Sequence, residues 1–531
     1  MPDAYDEIAY PDLSHATAHP DRMAVVARLF GMDPPRVDSC YVLELGCAAG
    51  ANLLPMASGF PESRFLGIDR SEQQIARGLG WRETLGLSNL SLEAMDLTDL
   101  DEDEGPFDYI IVHGVYSWVP PDVQRRILEI CGTRLSPNGV AYVSYDTLPG
   151  GHLMRIVNDA LLYGARAADS PAERTQAARR VLDVLRICLP RVAEPAWKML
   201  AERIPYLVAP IPEDAAAAEA FLLHGPLSEE THPIYLHQFI DAAADHGLQY
   251  LGDANVSSMV PSNYAPEVAQ SLVAASGDRL ELEQYLDFVR LRSFRTTLLC
   301  RREVPLEHHL SGEAVRSFLV ASAARAHDDG TVLAEGTPAT YMGRSGESFV
   351  TDLTLAKLAI AHLSRSWPRR VPFPELMQRT LDLRKALDGY EPADPGEDEE
   401  RLRLHLLRAY ACGGSIIEFN TVRPHHVEHV SDRPAAVPAI RMQAQRAAGI
   451  TNLWHEWIPL DDFSRHLLPA LDGTRDQRAL CERLKGQVEA GALALEEDGS
   501  PVQDNQRIQQ ILAHLLSDYL PQYAAAAILQ A

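Results

Sequence analysis

The chain of 531 residues has only seven cysteines, an odd number scattered from Cys40 to Cys481 with no C-x-x-C pair. That suits a reducing compartment better than a disulfide framework, and free thiols in packed positions are expected. No run of ~18 consecutive apolar residues offers a membrane span. The opening MPDAYDEIAYPDLSH is acidic, unlike the basic and then apolar start of a secretory leader. A cytoplasmic protein is expected. Lysine is nearly missing, with Lys198, Lys357, Lys385 and Lys485 alone, and positive charge is short altogether. Lys and Arg number 48 against 74 Asp and Glu, a formal charge of −26. Phosphate backbones are held by Lys and Arg displacing counterions, so nucleic acid is not expected as a general partner. A cationic partner is drawn to such a surface, most of all to the first 305 residues, where the acidic excess is heavier.

Several catalytic patterns are also missing. There is no G-x-x-x-x-G-K-[ST] loop, no G-x-S-x-G elbow, no H-E-x-x-H and no [DN]-P-P-Y. His425, His426, Glu428 and His429 spell HHVEH between Pro424 and Pro434. With no downstream ligand the run reads as a solvated loop, and no metal site is expected.

What is present starts with enough apolar residues, 46% of the chain, to fill roughly three domains. Short apolar runs at 41–45, 64–68, 90–94, 107–113 and 139–145 alternate with helical patterns such as 71–85 and 121–135. This rhythm predicts a doubly wound α/β sheet whose strands are buried on both faces. From 151 to about 230 the pattern is helical without strands. It then resumes with a helix at 234–246 and strands beginning at 248 and 294, so an inserted helical lid and completion of the same sheet are expected. Four regions follow: a core over 1–150, the insertion and a regulatory segment over 151–305, a middle α+β region over 306–423, and a helical module over 424–531. The acidic stretch GYEPADPGEDEE at 389–400 reads as a linker. Residues 463–471 and the following DGTRDQRALCERL read as two short helices across a turn, which suits a winged-helix-like module whose acidity speaks against DNA.

The most informative segment is YVLELGCAAGAN at 41–52. A strand ends at Leu45 and a glycine turn opens a helix, which places a ligand crevice at the strand's carboxyl end. Gly46 and Gly50 permit the turn. Ala48 stands where a dinucleotide fingerprint needs bare backbone, so a diphosphate bridge is a poor fit. Glu44 lies inside the strand, and Asp69 ends the next one, 19 residues after Gly50, at the interval where an α/β fold accepts hydrogen bonds from two ribose hydroxyls. Asp96 ends the third strand, where it can accept from an adenine amino group while Leu97 packs on the ring. The plain alternative for Asp96 is a helix cap.

The E-L-G-C-A-A-G turn with Asp69 and Asp96 at these intervals resembles the S-adenosylmethionine site of class I methyltransferases. The segments YDEIAYP (5–11), HPDRMAVVARLFG (19–31), LELGCAAGANLLPMA (43–57), FDYIIVHGVYSWVPP (107–121) and LSPNGVAYVSYDTLPGG (135–151) are similar to one bacterial group. That group joins a methyltransferase domain to a methyltransferase regulatory domain and includes lysine methyltransferases acting on an outer-membrane protein. The segments HPIYLHQFIDAAADHGLQYLGDA (232–254) and EQYLDFVRLRSFRTTLLCRR (283–302) resemble its regulatory domain. Where the group favours Asn and an aromatic after the fifth strand, this chain has Asp146, Leu148 and Gly151.

The resemblance implies S-adenosylmethionine as cofactor, held by Glu44, Gly46, Cys47, Gly50, Asn52, Asp69, Asp96, Leu97 and His113. Asn52 and Cys47 are assigned to its methionine end by position alone. HGVYSWVP at 113–120 leaves the fourth strand at the same crevice. His113, Tyr116 and Trp118 are therefore the candidate catalytic residues, the two aromatics as cation-attracting walls, with core packing as the plain alternative. Tyr10, and less so Tyr5, would fold over the cofactor from the leader. The function expected is N-methylation of lysine in a protein or peptide. A small-molecule or biosynthetic-peptide acceptor is the second reading, and a nucleoside-binding scaffold or sensor the third.

Overall fold

The computed structural model describes residues 10, 12–191, 202, 215–228, 231–327, 333–388, 394–413, 415–423, 426–497 and 500–530. Tyr5, His425, Lys198 and the first part of the acidic stretch, 389–393, lie outside the described residues. Seven strands form the central sheet: β1 (Tyr41–Leu45), β2 (Arg64–Asp69), β3 (Leu90–Ala94), β4 (Phe107–Val112), β5 (Leu135–Asp146), β6 (Leu248–Asp253) and β7 (Phe294–Arg301). Their order is β3-β2-β1-β4-β5-β7-β6. The pairs from β3 through β5 are parallel, and β7 is antiparallel to both β5 and β6. Strand order reverses between β1 and β4, which opens a crevice at their carboxyl ends. As the alternation of patterns predicts, the helices Gly150–Ala165, Pro171–Cys188 and Ala215–His224 interrupt the sheet before β6 and β7 complete it.

Alternation sorts the strand side chains into two cores. Val42, Tyr109, Ile111, Val140 and Tyr142 face one side, in a cluster that runs through the helix Pro20–Leu29 into the middle region as far as Phe318 and Phe419. Leu43, Leu45, Ile110, Val112, Val143 and Tyr145 face the other. Two boundaries differ from expectation. Strand β5 begins at Leu135, because that buried residue pairs with Phe107 across an irregularity before the regular register resumes. The acidic stretch is helical from its second half, in a helix running Pro395–Cys412. Asp394 caps it by accepting from Gly396 N at 2.8 Å, and Glu397 and Asp398 in its first turn complement the helix dipole.

β7 is anchored by a buried charge cluster. The Arg295 guanidinium, fully buried, donates to both Asp287 oxygens at 2.7 and 3.0 Å and lies 3.4 Å from Glu283 and 3.6 Å from Asp253. Arg292 adds a second cation at 2.8 Å from Asp253. The C-terminal module has its own core, built on the helices Pro438–Arg446, Gln477–Glu489 and Asn505–Ala525 with a short hairpin pairing Glu496–Glu497 and Ser500–Pro501. Among the described residues no helix is long and apolar enough to cross a membrane.

Candidate functional site: the crevice at the ends of β1, β2 and β4

Gly46 leaves β1 at φ +76, and a Cβ there would stand 2.5 Å from Val115 Cγ2, so only glycine fits. Its N–H and that of Cys47 both donate to Ile68 O, at 2.9 and 3.0 Å. Ala48 is left-handed at φ +48 although it carries a Cβ, and it is held there by giving its N–H to Asp69 Oδ2 at 2.8 Å. The other Asp69 oxygen accepts from Ser71 N at 2.9 Å. The half-buried carboxylate at the end of β2 therefore fixes the turn after β1 and still has lone pairs for a ligand. Gly50, at φ +73, closes the turn by donating to Cys47 O at 2.8 Å.

Gly78 was not picked out in the sequence, yet it backs this turn. A Cβ on it would lie 2.4 Å from Ala49 O and 2.7 Å from Leu92 Cδ1. Gly78→Ala must push the helix Glu72–Leu85 off the turn. We expect a loss of about 1–3 kcal/mol by thermal or urea melting, together with weaker cofactor binding in calorimetric titration.

Glu44 and Asn52, both 4% exposed, pair inside the crevice, with Asn52 Nδ2 donating to Glu44 Oε1 at 2.8 Å. The second Glu44 oxygen is buried with no hydrogen-bond partner among the described residues. Burial pushes the Glu44 carboxyl up to about 8, the Asn52 hydrogen bond opposing and the nearby Asp69 charge adding to the rise. A buried acceptor without a donor is costly, and it fits an ammonium group of an amino-acid ligand.

Asn52 Oδ1 accepts from His15 N at 3.0 Å, and the His15 ring stacks on His113 with centroids 3.4 Å apart. His113 Nδ1 lies 3.0 Å from Tyr142 OH, which is 3.2 Å from Thr17 Oγ1. Burial, with the neighbouring His15 second, holds His113 well below the usual imidazole range. His15 falls to about 4, also by burial. The segment after β4 is hooked to β5, Gly114 N donating to Ser144 Oγ and Asp146 N to Ser117 Oγ, each at 2.8 Å. Tyr10 lies over it, its hydroxyl 3.8 Å from where a Cβ on Gly114 would be and its ring 6.1 Å from His224 of the insertion.

The structure thus brings Glu44, Gly46, Gly50, Asn52, Asp69 and His113 to one place. The remaining candidates are placed as follows. Tyr116 is buried on the opposite face of the sheet, edge-on to Phe239 at 5.1 Å. Trp118 is half-buried at the end of the turn Tyr116–Trp118. Cys47 points into the core, where a Cβ on Gly67 would meet its sulfur at 2.7 Å, and burial pushes its thiol up. Asp96 is exposed and caps the turn Leu97–Asp99, its Oδ1 accepting from Thr98 N at 2.9 Å and Thr98 Oγ1 at 2.7 Å, while half-buried Leu97 packs on the core behind β1. Sequence reasoning passed over His15, Thr17, Tyr142 and Ser144. The two strand residues could have been flagged, since a polar or hydroxyl-bearing side chain inside an apolar run requires a partner.

Three family models match the chain. They are described as a methyltransferase domain (residues 42–139), a predicted methyltransferase regulatory domain (218–301) and the C-terminal winged helix domain of PKMT (432–528). The uncharacterized protein RP789 of Rickettsia prowazekii is 30% identical over 99% of this chain and 93% of its own length. The uncharacterized protein RP028 of the same organism is 33% identical over 45% of this chain. Among solved structures, PKMT2 from Rickettsia typhi in complex with AdoHcy superposes with a TM-score of 0.85, at 26% identity, over 98% of this chain and 99% of that one. The chain belongs to the family of S-adenosylmethionine-dependent methyltransferases that carry a methyltransferase domain, a regulatory domain and a PKMT-type winged helix in a single polypeptide.

Proposed function

We propose that this methyltransferase N-methylates lysine side chains of a protein or peptide, and that its cofactor lies in the crevice bounded by Glu44, the Gly46–Gly50 turn, Asn52, Asp69 and His113. The observation that carries the reading is the end-to-end likeness to PKMT2, whose solved structure is in complex with AdoHcy. The acidic surface supports it, because a formal charge of −26 attracts lysine-bearing segments.

S-adenosylmethionine supplies a methyl group on a sulfonium, open to in-line displacement by an uncharged amine. Asp69 accepts from the ribose hydroxyls while holding Ala48. Glu44 Oε2 receives the cofactor's ammonium, and that positive charge draws off the proton which burial otherwise keeps on the carboxyl. His113, kept neutral, serves as an apolar and hydrogen-bonding wall with His15 and Tyr142 rather than as a store for the amine's proton. Burial raises the Asp146 carboxyl to about 6, a hydrogen bond with Thr231 opposing. At the end of β5, Asp146 accepts a hydrogen bond from the incoming lysine; partial desolvation there lowers the lysine pKa, so the ammonium gives one proton to solvent and attacks as the neutral amine. The lysine nitrogen then forms the new C–N bond as the C–S bond breaks. Tyr10 closes the mouth.

The test is incubation of the full chain with methyl-labelled S-adenosylmethionine and cell-envelope protein. Label should enter protein bands and appear as methyl-lysine after acid hydrolysis. Label confined to low molecular mass would refute the reading and favour a small-molecule acceptor.

A further inference from the structure

We propose that His455, contributed by the C-terminal winged helix module, is a positioning residue for the cofactor crevice: its imidazole N–H orients Asn52, and Asn52 in turn orients Glu44. The proposal rests on the reading above that the cofactor lies against these residues.

His455 Nε2 lies 2.7 Å from Asn52 Oδ1 across 403 residues of chain, and both side chains are buried. Asn52 Oδ1 also accepts from His15 N. An amide oxygen that already has two donors leaves the amide nitrogen facing the other way, where it donates to Glu44 Oε1. That bond fixes the carboxyl rotation and aims the orphaned Oε2. Without His455 one of the two donors to Asn52 is gone, and once the bound ammonium has ionised Glu44 a flipped amide would set oxygen against oxygen there.

The loop that presents His455 is built for the contact. His455 is left-handed at φ +64, a conformation that costs a residue bearing a Cβ and persists only where its surroundings over-determine it. Here Asn452 does so, its Oδ1 accepting from Trp454 N at 3.0 Å and Glu456 N at 2.8 Å, and its Nδ2 donating to Glu456 Oε2 and Ala526 O. Trp454 is packed beneath the Arg370 guanidinium at 4.4 Å and edge-on to Trp367 at 4.8 Å. Trp367 Nε1 donates back to Ala525 O at 3.0 Å. The leader closes the third side. Ser14 Oγ lies 3.0 Å from Thr451 Oγ1, and the His19 ring is 5.2 Å from that of His455. The winged helix is thereby locked to the methyltransferase sheet at the residue pair beside the cofactor. It forms part of that site's wall.

Titration of S-adenosylhomocysteine into the full chain tests this with two variants of similar bulk. His455→Met fills the space without an N–H, and His455→Gln restores a donor near the Nε2 position. We expect His455→Met to weaken binding about tenfold, the worth of one buried hydrogen bond, and to raise the cofactor KM with little change in kcat. His455→Gln should stay within about threefold of the wild type. Equal affinity for all three proteins, or equal weakening in both variants, overturns the proposal. If Asp69→Ala weakens binding while His455→Met does not, the cofactor reading stands and the His455 inference fails; if neither has an effect, the cofactor reading has failed first. Should the methionine variant not fold, the unmodified protein decides with labelled histidine. The His455 ring resonance is expected to move on addition of S-adenosylhomocysteine, and a resonance that stays put counts against the proposal.

Discussion

Asp69→Ala is expected to weaken binding of S-adenosylhomocysteine about 100-fold, the largest binding effect of any single change in the crevice. Two effects combine. A carboxylate that accepts from ribose hydroxyls makes charge-assisted bonds worth about 1.5–3 kcal/mol each, and each 1.4 kcal/mol is roughly tenfold in affinity. The same carboxylate receives Ala48 N–H and Ser71 N–H, so its removal also frees a left-handed alanine to relax and unmakes the turn after β1. Melting should therefore drop by the equivalent of about 1–2 kcal/mol even without ligand. Asp69→Asn separates the two effects. Its oxygen can still accept from one backbone N–H, but its amide nitrogen opposes the other donor, so it should fall between wild type and alanine in both measurements. Calorimetric titration beside thermal melting reads both quantities, and unchanged affinity in Asp69→Ala would remove the crevice as the cofactor site.

Arg295→Met should be the most destabilising substitution outside the crevice, by about 3–5 kcal/mol near neutral pH. The methionine fills most of the volume, so the loss is electrostatic: Asp287, Glu283 and Asp253 remain buried with one cation fewer. Burial already holds the Glu283 and Asp287 carboxyls above their ordinary range, against the pull of Arg295. Without that guanidinium both rise further. A carboxyl whose folded pKa lies above its unfolded value gives stability that is complete at low pH and is lost as pH rises through the folded pKa. The deficit of the variant should therefore shrink towards pH 5 and widen towards pH 8. Urea midpoints at the two pH values check the sign, and a deficit independent of pH would show that packing, not charge, sets the role of Arg295.

The sheet was legible because its signal is local. Runs such as YVLEL and FDYIIVH are apolar on both faces, and a strand buried between helix layers needs that. The glycine turn was legible for the same reason, since Gly46 and Gly50 adopt positive φ within one short segment. The acidic stretch before residue 400 misled, because charge and proline mark linkers and helix starts alike. Asp394 and Pro395 turn out to be a cap and a first helical position. At Asp96, the cap that the structure contains is the plain alternative the spacing left open.

By itself the sequence determined the wound sheet, the turn between β1 and its helix, and the acid that ends β2, all of which depend on residues a few positions apart or on a fixed crossover length. The tertiary structure alone decided that Tyr116 packs behind the sheet, because the strand's alternation ends at Val112 and no longer dictates a face. It alone brought His15 and His455 onto Asn52 and stacked His113 on His15, since contacts spanning 37 to 403 residues follow from how the leader and the C-terminal module dock and leave no periodic trace along the chain.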